Sequence, residues 1–279
     1  MSFKIVVDSC CEIPEEFKND PRFESVPLML EIGDYVIPDD EKFDQVDFLR
    51  RIAEYPKAAK SACPSPEKYM EAYNADAEDI YVVTLSSHLS GSYESANLGK
   101  RLYEETYGMK KNIYVVDSES ASCGETKIAL KICELAESGM KFEDIVEYIE
   151  KFRDEQITYF VLDNLETLRK NGRLSNVKAL VASTLSIKPV MGADHGVIIQ
   201  RAQCIGLKKA FAKMTDLIAA EIKDGKDKVI RIAHCNCPDR AEVVKKLLET
   251  KVQCKAIYIQ STGGLSTLYA NDGGIIVAV

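Results

Sequence analysis

Hydroxyl side chains crowd three short segments of this 279-residue chain, and each segment follows a strand-like run. Asp8-Ser9 follows Phe3 to Val7. Leu85-Ser86-Ser87-His88-Leu89-Ser90-Gly91-Ser92-Tyr93 follows Ile80 to Thr84, and Asp117-Ser118-Glu119-Ser120-Ala121-Ser122 follows Ile113 to Val116. Serine hydroxyls and helix N-terminal amides both donate hydrogen bonds to an anion or a polar neutral group. A helix cap is the ordinary role for any one such serine. Three such loops at the ends of neighbouring strands point to a ligand, because open parallel sheets bind ligands beyond their carboxyl edges. The loops carry no Lys or Arg, and neither GxxxxGK[ST] nor GxGxxG occurs in the chain. Polyphosphate wants cations and close glycine backbone, so a single carboxylate or a polar neutral group suits this cradle better. Two cations stand apart from the loops: Arg173 in Asn171-Gly172-Arg173-Leu174-Ser175, and Arg201 after a strand-like run. The ordinary reading of either is a surface charge.

Other chemistries fit less well. GxSxG is absent, so there is no nucleophile elbow. The histidines are His88, His195 and His234; a Ser–His pair needs an orienting acid that spacing does not reveal. His234-Cys235-Asn236-Cys237 lacks a second ligand pair at zinc spacing. Asp8, Asp117 and Asp163 sit at strand ends, where capping a turn is commoner than holding Mg²⁺. No metal and no cofactor is expected. The nine cysteines are an odd number with no CxxC, and no apolar leader opens the chain, so reduced thiols and a cytoplasmic location are expected. No apolar run is long enough to cross a membrane. A net charge of −8 with no basic run argues against nucleic acid.

The elements that must position these loops follow from periodicity. In the first half, strands at 3–7, 80–84 and 113–116 alternate with helices at 44–54, 66–74, 92–107, 123–137 and 142–153, with a further pairing region at 25–30 and 35–37. Strand–helix–strand alternation means a parallel α/β sheet. The second half mixes strands at 158–162, 229–233, 255–260 and 275–279 with helices at 165–170, 177–184, 208–222 and 239–248. Hairpin arms at 187–190 and 197–200 complete an α+β pattern. The expected division is therefore an α/β domain over 1–156 and an α+β domain over 157–279.

Taken in order, the segments resemble the DegV family of fatty-acid-binding proteins, over essentially the whole chain. Asp8-Ser9 resembles the family's opening motif, and Ser61-Ala62-Cys63-Pro64-Ser65-Pro66 its Thr-Ser-x-Pro-Ser-Pro loop. The segment Leu85 to Ala96 is similar to Ser-Ser-x-Leu-Ser-Gly-Thr-Tyr-x-Ser-Ala. Asp117-Ser118 with Gly124, then Leu165 to Ser175, and then Ser186-Ile187-Lys188-Pro189 complete the series. The resemblance implies a Rossmann-like N-terminal domain of the kind shared with dihydroxyacetone kinase. It implies a non-catalytic protein that sequesters one long-chain fatty acid, with the acyl chain inside the N-terminal domain and the carboxylate near the domain junction. It also implies a separate fatty acid kinase as partner, which makes an acyl-phosphate for phospholipid synthesis. Carried over by motif, Ser61, Ser90 and Ser92 would hold the carboxylate, with Arg173 and Arg201 near the head group or the partner. Two departures stand out: Ser61-Ala62 has one hydroxyl fewer than Thr-Ser, and the family's His-x-Gly-Pro-Gly is Asn271-Asp272-Gly273-Gly274-Ile275, so Asn271 would take the histidine's place without its charge. The competing reading is an enzyme, either a serine esterase or a dihydroxyacetone-kinase-like substrate-binding subunit.

Overall fold

The computed structural model describes residues 2–175, 177 and 186–279. In chain order the first half holds β1 (Phe3–Asp8), β2 (Phe23–Val26), β3 (Met29–Ile32), β4 (Tyr35–Pro38), α1 (Gln45–Glu54), β5 (Lys60–Ala62), α2 (Pro66–Tyr73), β6 (Asp79–Thr84), α3 (Ser92–Tyr107), β7 (Asn112–Asp117), α4 (Cys123–Glu137) and α5 (Phe142–Asp154). The second half holds β8 (Thr158–Val161), α6 (Glu166–Lys170), β9 (Ile187–Asp194), β10 (Val197–Ile205), α7 (Leu207–Glu221), β11 (Val229–His234), α8 (Pro238–Glu249), β12 (Ala256–Ser261), α9 (Gly264–Ala270) and β13 (Ile275–Ala278).

Strands β2, β1, β6 and β7 form a parallel sheet in that order. Both faces of its central strands are covered: Ile5, Val7, Tyr81 and Val83 pack against α4 and α5, and Val6, Ile80 and Val82 against α2 and α3. Continuous apolar runs such as Ile-Val-Val are what a sheet buried on both sides requires. All three serine-bearing loops leave the carboxyl edge of this sheet. Helix α1 begins where Asp44 accepts the backbone N–H groups of Val46 and Asp47, both at 3.0 Å, an N-cap that satisfies two orphan donors. Ser65 stands in the N-cap position of α2 as the Ser-Pro pair suggests, but its side chain makes no capping bond. Pro66 at the first helical turn, with its fixed φ and missing N–H, carries the start instead.

The second sheet runs β10-β9-β8-β13-β11-β12 and is mixed. The hairpin is longer than its expected arms and turns at His195-Gly196, both at positive φ. Two elements depart from the sequence reading. Residues 25–30 and 35–37, read as one further pairing region, divide between two sheets. Strand β2 joins β1, while β3 pairs antiparallel with β4 and with the unanticipated β5 to make a separate three-stranded sheet. The seven-residue helix α9 was also not anticipated, since Gly263-Gly264 disguises its start. Gly264 is required there: a Cβ would overlap the Asp39 carboxylate, which accepts the Gly264 and Leu265 N–H groups at 2.8 Å each. The expected helix at 177–184 lies outside the described residues, apart from Val177. No helix among the described residues is long and apolar enough to cross a membrane.

Candidate functional site

A cavity enclosing about 820 Å³ of space not filled by atoms, its open mouth included, lies between the two sheets. Its walls come from both sides of residue 156. Leu28, Leu85 and Leu89 face Phe160, Leu162, Leu168, Ile198, Leu265 and Ile276 across it. Thirteen of the 23 lining residues are aliphatic or aromatic, and most of the surface they present is apolar, so the space suits a long apolar guest.

The polar groups on the wall divide into two sets. The first, Ser61, Ser90, Arg173 and Tyr269, is half-buried and gathered at one end. The Ser61 hydroxyl lies 3.1 Å from the Tyr269 phenol oxygen. The Arg173 guanidinium stands 5.5 Å from the Tyr269 ring centroid. It donates to the Leu89 carbonyl at 3.1 Å and to the Asn171 carbonyl at 2.6 Å, which fixes its direction. Ser90 accepts the Ser92 N–H at 3.2 Å, which leaves its own O–H to point elsewhere. A guanidinium, a phenol and two hydroxyls together are donors enough for one carboxylate.

The second set lies deeper and is bonded internally. Ser120 meets Thr158 at 2.8 Å, and Ser122 donates to the Glu12 carboxylate at 2.8 Å. Burial pushes the Cys10 thiol well above its usual range, so it faces the cavity uncharged. The hairpin turn, which borders the cavity at Gly196, is pinned by Ser86, whose hydroxyl donates to the Gly196 carbonyl at 2.9 Å. Gly196 lies at φ +77°, and a Cβ there would overlap Ser86 Oγ, so the hairpin can close on this loop only with glycine. The carboxylate of Glu119 also borders the cavity, 3.1 Å from His195 Nδ1.

The family model described as an uncharacterised protein of DegV type matches residues 2–279. This chain belongs to the DegV family. A DegV domain-containing protein of Streptococcus pyogenes serotype M1 is 33% identical over 281 residues, covering 99% of each chain. Among solved structures, a DegV protein from Ruminococcus gnavus refined with vaccenic acid is 53% identical, superposes with a TM-score of 0.97 and is covered in full, as is this chain. A DegV protein from Eubacterium eligens loaded with heptadecanoic acid is 28% identical with a TM-score of 0.90 and 99% coverage of both. The Fatty Acid Kinase B3 protein of Streptococcus pneumoniae, loaded with linoleic acid, is 30% identical with a TM-score of 0.87, covering 100% of this chain and 99% of that one. The mixed α/β architecture read from the sequence is thus the DegV fold.

Of the site residues read from the DegV motifs, Ser61, Ser90 and Arg173 line the cavity. Ser92 does not. It is fully buried behind Ser90, donates to Asp8 at 2.6 Å and lies 2.6 Å from the Tyr69 hydroxyl. Asn271 also stands off the wall, its amide donating to Thr167 Oγ1 and to the Tyr269 carbonyl at 3.3 Å each. Arg201 is engaged elsewhere, with Glu221 at 2.9 Å and over the Tyr159 ring. Of the strand-end aspartates, Asp117 has the turn-capping role expected of it, whereas Asp163 is held by two cations. Asp117 accepts the Ser87 and Glu119 N–H groups, and Asp163 pairs with Arg240 and Lys188. His234 Nδ1 accepts the Cys237 N–H, and among the described residues no histidine ring hydrogen-bonds a serine hydroxyl. Sequence reading missed Tyr269. The spacing of Leu265, Leu268 and Tyr269 at i, i+3 and i+4 was the available signal for a helix face.

Proposed function

We propose that this chain binds one long-chain fatty acid, with its carboxylate at Ser61, Ser90, Tyr269 and Arg173 and its acyl chain along the junction between segments 1–156 and 157–279. The observation that carries this reading is a cavity of mostly apolar surface whose only cation among the described lining residues, Arg173, stands beside Tyr269, which meets Ser61. Taking about fourteen methylenes out of water gains on the order of 11 kcal/mol at ~0.8 per CH₂, gross of the ordering that binding costs. The relatives loaded with vaccenic, heptadecanoic and linoleic acids support the ligand class. In this reading Ser92 and Asn271 act one step back, Ser92 by holding the Ser90 oxygen and Asn271 by holding the backbone of Tyr269. The acyl chain runs along the junction and not within the first segment alone, because residues 157–279 supply 13 of the 23 lining residues.

We further propose that the chain works in the cytoplasm without catalysing a reaction of its own, presenting the carboxylate to a separate fatty acid kinase. The name of the Streptococcus pneumoniae relative supports this. A hydroxyl and guanidinium grip fixes the carboxylate without a nucleotide motif, so the phosphoryl donor is supplied by the partner.

Mass spectrometry of an organic extract of the purified protein is expected to show about one fatty acid per chain. A clean extract, with no rise in thermal midpoint on adding palmitate or oleate, overturns the proposal. Arg173→Ala removes charge-assisted hydrogen bonds to the carboxylate, worth about 1.5–3 kcal/mol. Titration with oleate is therefore expected to show binding weakened roughly tenfold to a hundredfold. Unchanged affinity would move the head group away from Tyr269.

A further inference from the structure

At the cavity wall, where Cys10 forms part of the lining, three buried acid groups converge. Asp8 from β1, Cys10 from the loop after it and Glu125 from α4 each bring an oxygen or sulfur atom within 4.8 Å of the others, and all three are buried. Asp8 is well served with donors: the Cys10 N–H at 3.1 Å, the Leu85 N–H at 3.0 Å and the Ser92 hydroxyl at 2.6 Å. Glu125 is not. It is 0% exposed, no N–H or hydroxyl reaches either of its carboxylate oxygens, and the Cys10 thiol and the Asp8 carboxyl stand beside it. A buried carboxylate anion with at most a thiol as donor, beside a second carboxylate, is among the least tolerable arrangements a protein core can hold. A proton on Glu125 removes the difficulty at once, since the adjacent Asp8 carboxylate can accept it.

We propose that Glu125 and Asp8 share a single proton, and that this buried acid pair is the positioning group for the loop that carries Ser90. Asp8 takes hydrogen bonds from both ends of that loop, at Leu85 and at Ser92. Ser92 in turn donates its N–H to Ser90 Oγ. The shared proton gives Asp8 a fourth partner and keeps the pair at one negative charge, the number its three other donors can balance. Burial pushes both carboxyls above their usual range, Glu125 far above it. The other titratable groups whose fields couple to the pair are Cys10, Cys11, Glu12, Asp39 and Tyr69, none of them cationic. The effect on ligand binding rests on the fatty-acid reading above, whereas the proton itself does not.

Infrared spectroscopy of the full chain in D₂O at about pH 8.5, where Glu12 and Asp39 are ionised, is expected to show the C=O stretch of a protonated carboxylic acid. That band should vanish in Glu125→Gln. Its absence from the parent protein overturns the shared proton, as does a stoichiometric divalent cation found by metal analysis. For the positioning role, Glu125→Leu, which has no proton to give, is expected to weaken oleate binding at least tenfold and to lower hydrogen-exchange protection over residues 85–92. Glu125→Gln, whose amide can donate to Asp8, is expected to recover most of that loss. Equal affinities for the Leu variant and the parent, or no recovery by Gln, overturn the positioning role. If the Leu variant does not fold, the infrared band and its loss in the Gln variant decide the proton. The difference in exchange protection and oleate affinity between the Gln variant and Asp8→Asn then decides the positioning: protection over 85–92 retained in the first and lost in the second supports it, and equal protection overturns it. A parent protein that shows the band but retains no fatty acid would refute the binding reading and leave the proton standing.

Discussion

Ile198→Asp is expected to empty the cavity of ligand and to cost the fold more than any other single change considered. Ile198 is 6% exposed, lines the cavity and packs with Leu162, Leu168 and Met191. Losing the buried isoleucine costs about 1.5–3 kcal/mol, and an unpaired carboxylate in its place adds several more. Together, roughly 5 kcal/mol is a large share of the 5–15 kcal/mol that holds a typical domain. The variant should unfold at clearly lower urea concentration, and its organic extract should contain no fatty acid. Ile198→Ala separates the two effects, because it enlarges the cavity at about 2–4 kcal/mol without placing a charge against the acyl chain. It should stay folded and loaded. A folded Ile198→Asp protein still carrying one fatty acid per chain would mean that the guest lies elsewhere.

What could be read in advance divides along physical lines. The parallel sheet was legible because β1, β6 and β7 are continuous apolar runs flanked by amphipathic helices, a pattern that local periodicity carries. The short strand β5 and the helix α9 were not, since Lys60–Ala62 has no periodicity in three residues and α9 starts on two glycines. Both matter to the site: one brings Ser61 to the cavity and the other brings Tyr269 against it. Serine-rich loops could be located, but their donor directions could not. Ser90 and Ser92 are two residues apart, yet one faces the cavity and the other is consumed by Asp8. That choice is made by a carboxylate 84 residues away in the chain, beyond the reach of spacing arguments. Arg173 and Arg201 looked alike as isolated cations, and only the tertiary partners, Tyr269 for one and Glu221 for the other, set them apart.

The same buried acids give the protein an unusual dependence on pH, and Glu12 is where it can be isolated. Its carboxylate ties the first segment to the second, accepting the Ser122 hydroxyl at 2.8 Å and the Gln260 amide and Gly263 N–H at 3.3 Å each. Burial nonetheless outweighs these donors and pushes its pKa up from 4.5 to about 7. In the unfolded chain the group loses its proton near the ordinary value, while in the folded chain it keeps it to near neutrality. Folded protein therefore binds more protons than unfolded between about pH 4.5 and 7, and stability must fall as pH rises through that window. At about 1.4 kcal/mol per pH unit the loss amounts to roughly 3 kcal/mol. Asp39, raised to about 6 chiefly by burial, acts in the same direction over a lower range. Glu12→Gln keeps the side chain's shape but cannot ionise. Relative to the parent it is expected to gain up to about 3 kcal/mol between pH 4.5 and 7.5 in urea unfolding, with the gain concentrated below pH 7. A difference between the two proteins that stays constant with pH would mean that Glu12 is ionised in the fold at ordinary carboxylate pH. The clamp between the two segments would then be as strong at alkaline as at acid pH, contrary to what its burial implies.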